Sequence, residues 1–203
     1  MLASIALQPI AGRLFRFANI TRRTEALASL GLLPGDIAEI LTFLGGEGSA
    51  DDLLDAPFRH DPSRTPTLTR FSDGSWRVFY AARDWETAAA EVGYHIRKAA
   101  DGFASPLFYQ RLSCTLVGNG YDLTPHADNM PFLTSPDEGE AYTLCQNLAR
   151  EAIDAGADGL LTISARMDGV NVPVFQRHAL SDPTIIGAAS FVADGGDLLI
   201  EQA

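Results

Sequence analysis

Residues 76–98, WRVFYAARDWETAAAEVGYHIRK, change local character abruptly, and that change limits what the chain can fold into. WRVFYAA is dense in aromatic and β-branched side chains and predicts a strand. Asp84 ends it and is placed to N-cap a helix beginning at Trp85, because a carboxylate there accepts a free N–H of the first turn. Ala88, Ala89, Val92, Ile96 and Ala99 then recur at helical spacing and form an apolar stripe.

The rest of the chain supplies more strands than helices. GRLFRFANI (12–20), PLFYQRLSCTLVG (106–118), GLLTIS (159–164) and VNVPVFQ (170–176) predict strands, the last two joined by a turn at Asp168-Gly169. The tail IIGAASFVADGGDLLIEQ predicts two more around Asp194-Gly195-Gly196. Ser135-Pro136-Asp137-Glu138 has the form of a capping box with Pro at N1, opening a helix to about Ala155 that Gly156 ends. Residues 24–56 hold short amphipathic pieces punctuated by Pro34-Gly35 and Gly45-Gly46, too few to bury a core alone. The expectation is one α+β domain over residues 1–203, with a largely antiparallel or split sheet and a small helical insertion at about 24–56.

A net charge of −11 argues against nucleic-acid binding through phosphate neutralisation and against an anionic membrane surface. No apolar run reaches the roughly 18 residues of a membrane span, and the N-terminus lacks the pattern of a secretory leader. A cytoplasmic protein with Cys114 and Cys145 reduced and buried is expected. GxxxxGK[ST], GxSxG and HExxH are absent, and His60, His95, His126 and His178 show no metal-ligand spacing. The glycine cluster GGEGSA follows a helical piece rather than a strand, which is the wrong setting for a dinucleotide loop.

What remains is a set of arginines, aromatics and one carboxylate. Glu91 sits about two turns into the helix, at the edge of its apolar stripe and beside the strand bearing Tyr80. Taken singly, Glu91 reads as a boundary glutamate with a salt-bridge partner, Arg70 as a solvated charge and Tyr80 as core packing. Ser164 reads as a strand-end hydroxyl.

Taken in order, the segments resemble a family. PFRHDPSRTPTLTRFSDGSWRVFYAARDWETAAAEVGYHIRK followed by CQNLAREAIDAGADGLLTISARMDGVNVPVFQ resembles the RES domain, named for its arginine, glutamate and serine. The likeness lies in an "[YF]R-aromatic" context, an "RF" pair, "YxA…ETAxAEV", and later "S-x-R" with "NxxxF" after it. It spans roughly residues 57–178, with Arg16 in LFRF matching the start of longer members. The family arginine falls on Arg59 or Arg70, the glutamate on Glu91, the serine on Ser164 and the tyrosine on Tyr80; both Arg16 and Arg59 fit the first arginine context. His60 stands where the family usually has tyrosine, and LTRFS replaces its GGRWN form.

The resemblance implies a core like that of the ADP-ribosyltransferases, of mixed, largely antiparallel strands with flanking helices. It implies a toxin that consumes NAD as substrate, without a metal, and a small helical Xre-like antitoxin as partner. On that footing Glu91, Arg70 and Ser164 are the expected catalytic residues, and Arg59 and Tyr80 the expected substrate-binding ones. NAD phosphorolysis or hydrolysis is the leading expectation. Protein ADP-ribosylation, or an inactive module that only binds an antitoxin, stands beside it.

Overall fold

The computed structural model describes residues 1–20, 49–59, 68–98, 107–194 and 197–202, together with 31, 33 and 36. The strands among them are β1 (Gln8–Asn19), β2 (Phe79–Ala82), β3 (Leu107–Asp122), β4 (Gly159–Ile163), β5 (Val170–Val174), β6 (Leu180–Asp194) and β7 (Asp197–Gln202). The helices are α1 (Ala50–Arg59), α2 (Trp85–Lys98) and α3 (Glu140–Asp154). The sheet order is β1-β2-β5-β4-β3-β6-β7, and β1 also pairs with β3, so the first five strands of that order close into a barrel-like ring.

β3 holds this arrangement together. One edge pairs antiparallel with β1 from Asn19↔Tyr109 to Gln8↔Gly120. The other edge is divided: Leu107–Leu116 pair antiparallel with β6, and Gly120–Asp122 pair parallel with β4. The sheet is therefore split at β3, and β3–β4 is the parallel pair in a mostly antiparallel set. By contrast, β1 pairs with β2 through the single ladder position Phe15↔Ala82, which leaves the ring weakly sewn at that seam.

Three apolar clusters fill the spaces that result. Leu14, Phe79, Leu112, Leu116, Val172 and Val174 pack between the ring strands, with Leu54 of α1 added. Leu123, Leu133, Leu148, Ala149, Ala152 and Leu160 bury one face of α3, and Phe17, Ala88, Ile96, Tyr109 and Phe191 bury one face of α2. Full burial of such aliphatic or aromatic side chains stabilises by about 1.5–3 kcal/mol each before the entropy of ordering is subtracted. Cys114 and Cys145 are free and buried, and burial pushes both thiols up to about 11, so neither is a ready thiolate.

Most expected elements are present, with informative differences. The strand expected over 76–82 shortens to β2, because the preceding segment is tied into a turn. There Thr69 bridges Ser72, the Ser72 hydroxyl donates to the Trp76 carbonyl at 2.8 Å, and the Trp76 indole donates to the Phe71 carbonyl at 2.9 Å. The capping box expected at Ser135–Glu138 does not form: α3 starts at Glu140 after Gly139, with no side-chain cap, and the Glu138 carboxylate turns away to Lys98. At the other end Gly156, at φ +82°, closes α3, with Ala157 N–H reaching the Ala152 carbonyl at 2.9 Å. Of the insertion expected at 24–56 most lies outside the described residues, as does His60; its last piece, SADDLLD, opens α1.

At Gly120, where β3 first pairs with β4, there is no room for a side chain. A Cβ on Gly120 would lie 2.3 Å from the Gly159 carbonyl oxygen and 2.4 Å from Ile10 Cδ1. Gly120→Ala is expected to prise this parallel pair apart and to cost at least about 2 kcal/mol. Urea unfolding of the variant beside the parent checks it, and an unchanged midpoint would refute it.

Candidate active site

Two short elements bring the chemistry together. The Asp84 carboxylate accepts the Thr87 N–H at 2.7 Å, which fixes the start of α2 and hence the direction in which Glu91 points. Opposite it, β4 and β5 form a hairpin with Thr162↔Asn171 and Ile163↔Val170 paired, closed by Ser164 N–H to the Gly169 carbonyl at 2.8 Å. The hairpin sits close against α2: a Cβ on Gly169 would fall 1.9 Å from Thr87 Oγ1. That contact sets the height of Ser164 and Asn171 relative to Glu91.

The two side chains converge on one carboxylate oxygen. Ser164 Oγ donates to Glu91 Oε1 at 2.7 Å and Asn171 Nδ2 donates to the same atom at 2.6 Å. Glu91 Oε2 lies 4.0 Å from Arg166 Nε, a nitrogen that is buried without a hydrogen-bond partner among the described residues. The Arg166 guanidinium lies 3.3 Å from the centroid of the Tyr94 ring, and the Arg166 N–H is held by Ser164 Oγ at 3.1 Å. Glu91 is thus a fixed anion with one oxygen fully engaged and the other facing a cation.

This group lies in a cleft of about 410 Å³, within the range of small-molecule sites. Four of the chain's 15 lysines and arginines line it (Arg16, Arg70, Lys98 and Arg166), against two of its 26 acidic residues, Glu91 and Glu138. The cleft therefore has the opposite charge balance to the whole chain, which suits an anionic ligand. Among the described residues no three His, Cys, Asp or Glu side chains are grouped so as to hold a metal ion.

Each arginine is braced. Arg16, on β1, donates to the Tyr80 carbonyl at 2.7 Å, and its guanidinium carbon lies 4.9 Å from the Phe79 ring centroid. Burial lowers the Arg16 pKa to about 10, so it stays charged at neutral pH, and its Nε has no hydrogen-bond partner among the described residues. Arg70 donates to the carbonyls of Phe132, Leu133 and Ser135 at 3.0–3.1 Å and lies 4.8 Å from the Tyr142 ring centroid. It is a strut for the segment before α3 as well as a charge in the cleft wall.

Of the residues expected from sequence, Glu91, Ser164, Arg70 and Tyr80 meet around this cleft, Ser164 from just behind its wall through its bond to Glu91. Tyr80 lines it, but its hydroxyl is held by Thr69 Oγ1 at 2.5 Å and by the Phe71 N–H at 3.1 Å, and burial raises its pKa well above the usual value. Its part is to hold the Thr69–Phe71 wall. Arg59 is not brought to the cleft. It ends α1, exposed, paired with Asp52 at 2.9 Å and Asp55 at 3.2 Å, while Asp55 also binds Arg177 beside β6. Arg16 takes the place in the cleft that Arg59 was expected to fill, because full-length pairing with β3 puts Phe15, Arg16 and Phe17 of β1 in its wall. Asn171 and Arg166 stand in the NxxxF and S-x-R contexts, yet their roles appear only when the hairpin and α2 are packed together.

Removing one donor from Glu91 leaves its carboxylate less well held. Asn171→Ala is expected to lower stability by about 1 kcal/mol. Gly169→Ala, which forces the hairpin off α2, should cost more, and thermal unfolding of the two variants side by side checks the ranking.

The sequence model of the RES domain family matches residues 47–194, which include Glu91, Ser164, Arg166 and Asn171; Arg16 lies before them. No match to a curated protein was found. Among solved structures the chain is similar to the M. tuberculosis MbcT–MbcA toxin–antitoxin complex, at 14% identity and a TM-score of 0.50, covering 89% of this chain and 86% of that one. At that identity the likeness concerns the fold, whereas the family match spans well over half of the sequence: the chain belongs to the RES domain family.

Proposed function

We propose that this protein cleaves the nicotinamide–ribose bond of NAD and serves as the toxin of a toxin–antitoxin pair. The observation that carries the reading is the Glu91 carboxylate, held by Ser164 and Asn171 inside a cationic cleft of an otherwise acidic chain. Breaking the C1′–N bond sends its electron pair to the nicotinamide nitrogen and leaves an oxocarbenium-like cation on the ribose. A fixed carboxylate beside C1′ stabilises that charge where it develops, and two donors on Oε1 keep it from turning away. Arg16, Arg70 and Arg166 supply permanent positive charge for the pyrophosphate. Phe15, Phe17 and Tyr142 supply flat apolar surface for the rings.

The ribosyl cation is then captured by an oxygen nucleophile: phosphate gives phosphorolysis and water gives hydrolysis. The fold likeness to a toxin–antitoxin complex supports the toxin role. On this reading a small helical Xre-like antitoxin covers the cleft. On this reading the ring of strands is an ADP-ribosyltransferase-like core. The reaction belongs to the cytoplasm, where NAD is the substrate and no metal takes part.

Incubation with NAD, with and without phosphate, should release nicotinamide. Glu91→Gln should slow release by about 10²–10³-fold, the loss typical of removing one electrostatic stabiliser, while leaving the unfolding temperature nearly unchanged. Expression should arrest growth for the parent and not for Glu91→Gln. No nicotinamide from the parent with either acceptor would overturn the reading, and ribosyl label found on protein would redirect it to ADP-ribosyl transfer.

A further inference from the structure

The rim of the cleft holds a second constellation that the bond-breaking step does not use. Lys98, at the C-terminal end of α2, pairs with Glu138, in the segment before α3, across 40 residues of sequence. Tyr94 OH donates to Glu138 Oε1 at 3.2 Å and Tyr142 OH donates to the same oxygen at 3.4 Å. One carboxylate thus gathers an ammonium and two phenol hydroxyls. The two phenol rings are backed by guanidinium groups, Arg166 against Tyr94 and Arg70 against Tyr142.

This is a cradle built for an anion. Three donors converge on it from α2 and α3, and two further cations stand behind them. Cation–ring contact makes a phenol hydroxyl a better donor by drawing electron density from the ring. Lys98 holds the Glu138 carboxyl below the usual carboxylate range, so Glu138 is ionised at neutral pH. A carboxylate and a phosphate ask for the same donors, and a phosphate group brings more charge and a third acceptor oxygen.

We infer that Tyr94, Lys98 and Tyr142 form a phosphate-group site that the protein's own Glu138 carboxylate fills, so that a phosphate-bearing ligand must displace Glu138 to bind. The pair is well suited to exchange. Lys98 and Glu138 are 51% and 34% exposed, so their attraction is screened and the carboxylate can swing outward at small cost. Glu91, by contrast, is fixed by two short hydrogen bonds and does not move aside. Glu138 is therefore a built-in competitor that lowers affinity for phosphate-bearing ligands, and it opens the strap between α2 and α3 when one binds.

The inference deepens the NAD reading by naming a phosphate subsite in the same cleft, but its test needs no turnover. Binding of inorganic pyrophosphate is measured by titration calorimetry for the parent, Glu138→Gln, Lys98→Met and the double variant, each first shown folded by its unfolding temperature. Glu138→Gln should bind about three- to five-fold more tightly, since the displaced pair is a partly exposed one. Lys98→Met should bind more weakly than the parent, and the double variant more weakly than Glu138→Gln. Equal or weaker binding by Glu138→Gln overturns the inference, as does tight binding that persists in both Lys98→Met variants. Tyr94→Phe and Tyr142→Phe, which keep the rings, serve as second variants if a Lys98 change unfolds the chain, and each should weaken pyrophosphate binding. If NAD is cleaved and Glu138→Gln binds pyrophosphate no better, only this inference falls; if NAD is untouched and Glu138→Gln binds it better, only the cleavage reading falls.

Discussion

The two-sided pairing of β3 is the constraint on which the rest depends. A 16-residue strand holding β1 along one edge and dividing the other between β6 and β4 leaves few ways to arrange the remaining elements. Because β4 can join only where β6 has ended, the β4–β5 hairpin is set at one end of the barrel-like ring. Gly120 makes that junction possible, since a Cβ there would meet the Gly159 carbonyl oxygen, while a Cβ on Gly159 would crowd the Pro173 carbonyl of β5. The same strand, through β1, brings Arg16 into the cleft wall. The cleft is in this sense a consequence of how β3's hydrogen bonds are shared.

Within the cleft, charge is organised by fixing some groups and leaving others free. Glu91 is tied by two neutral donors, Arg70 by three backbone carbonyls, and Arg166 by a ring face. Such bracing is completed within the fold itself, so little reorganisation is left for ligand binding. At the rim the partners are exposed and exchangeable, as an entrance requires. Placing four cations against two carboxylates in a chain of net charge −11 also gives the cleft a sign that its surroundings lack. An anionic ligand is guided to one place rather than to the surface at large.

Family membership and geometry support one another without being the same argument. The family match covers residues 47–194, yet β1 and Arg16, outside that span, complete the cleft wall. The Ser164 hydroxyl donates to Glu91 and accepts the Arg166 backbone N–H, so it ties the carboxylate to the hairpin end. Glu138 shows why local motifs mislead at such sites. Its position after Ser135-Pro136-Asp137 matches a helix cap, but Lys98 and two tyrosines offer its carboxylate more than a backbone N–H would.

The sequence by itself determined the strand-to-helix unit at Asp84, the β4–β5 hairpin and the end of α3 at Gly156, and its family resemblance drew Glu91 and Ser164 together as candidates. Each of these rests on interactions between neighbours in the chain: a cap, a turn, a left-handed glycine, or a family motif of fixed spacing. Only the tertiary structure decided that Arg16 rather than Arg59 reaches the cleft, that Asn171 shares Glu91 with Ser164, and that Glu138 faces Lys98. Those contacts join residues 40 to 100 positions apart in sequence and exist only once β3 has fixed which edges meet. Local propensity contains no information about such partners, because it is set by backbone sterics and nearby hydrogen bonds, while long-range pairing is set by which strand edges and apolar faces are left to satisfy.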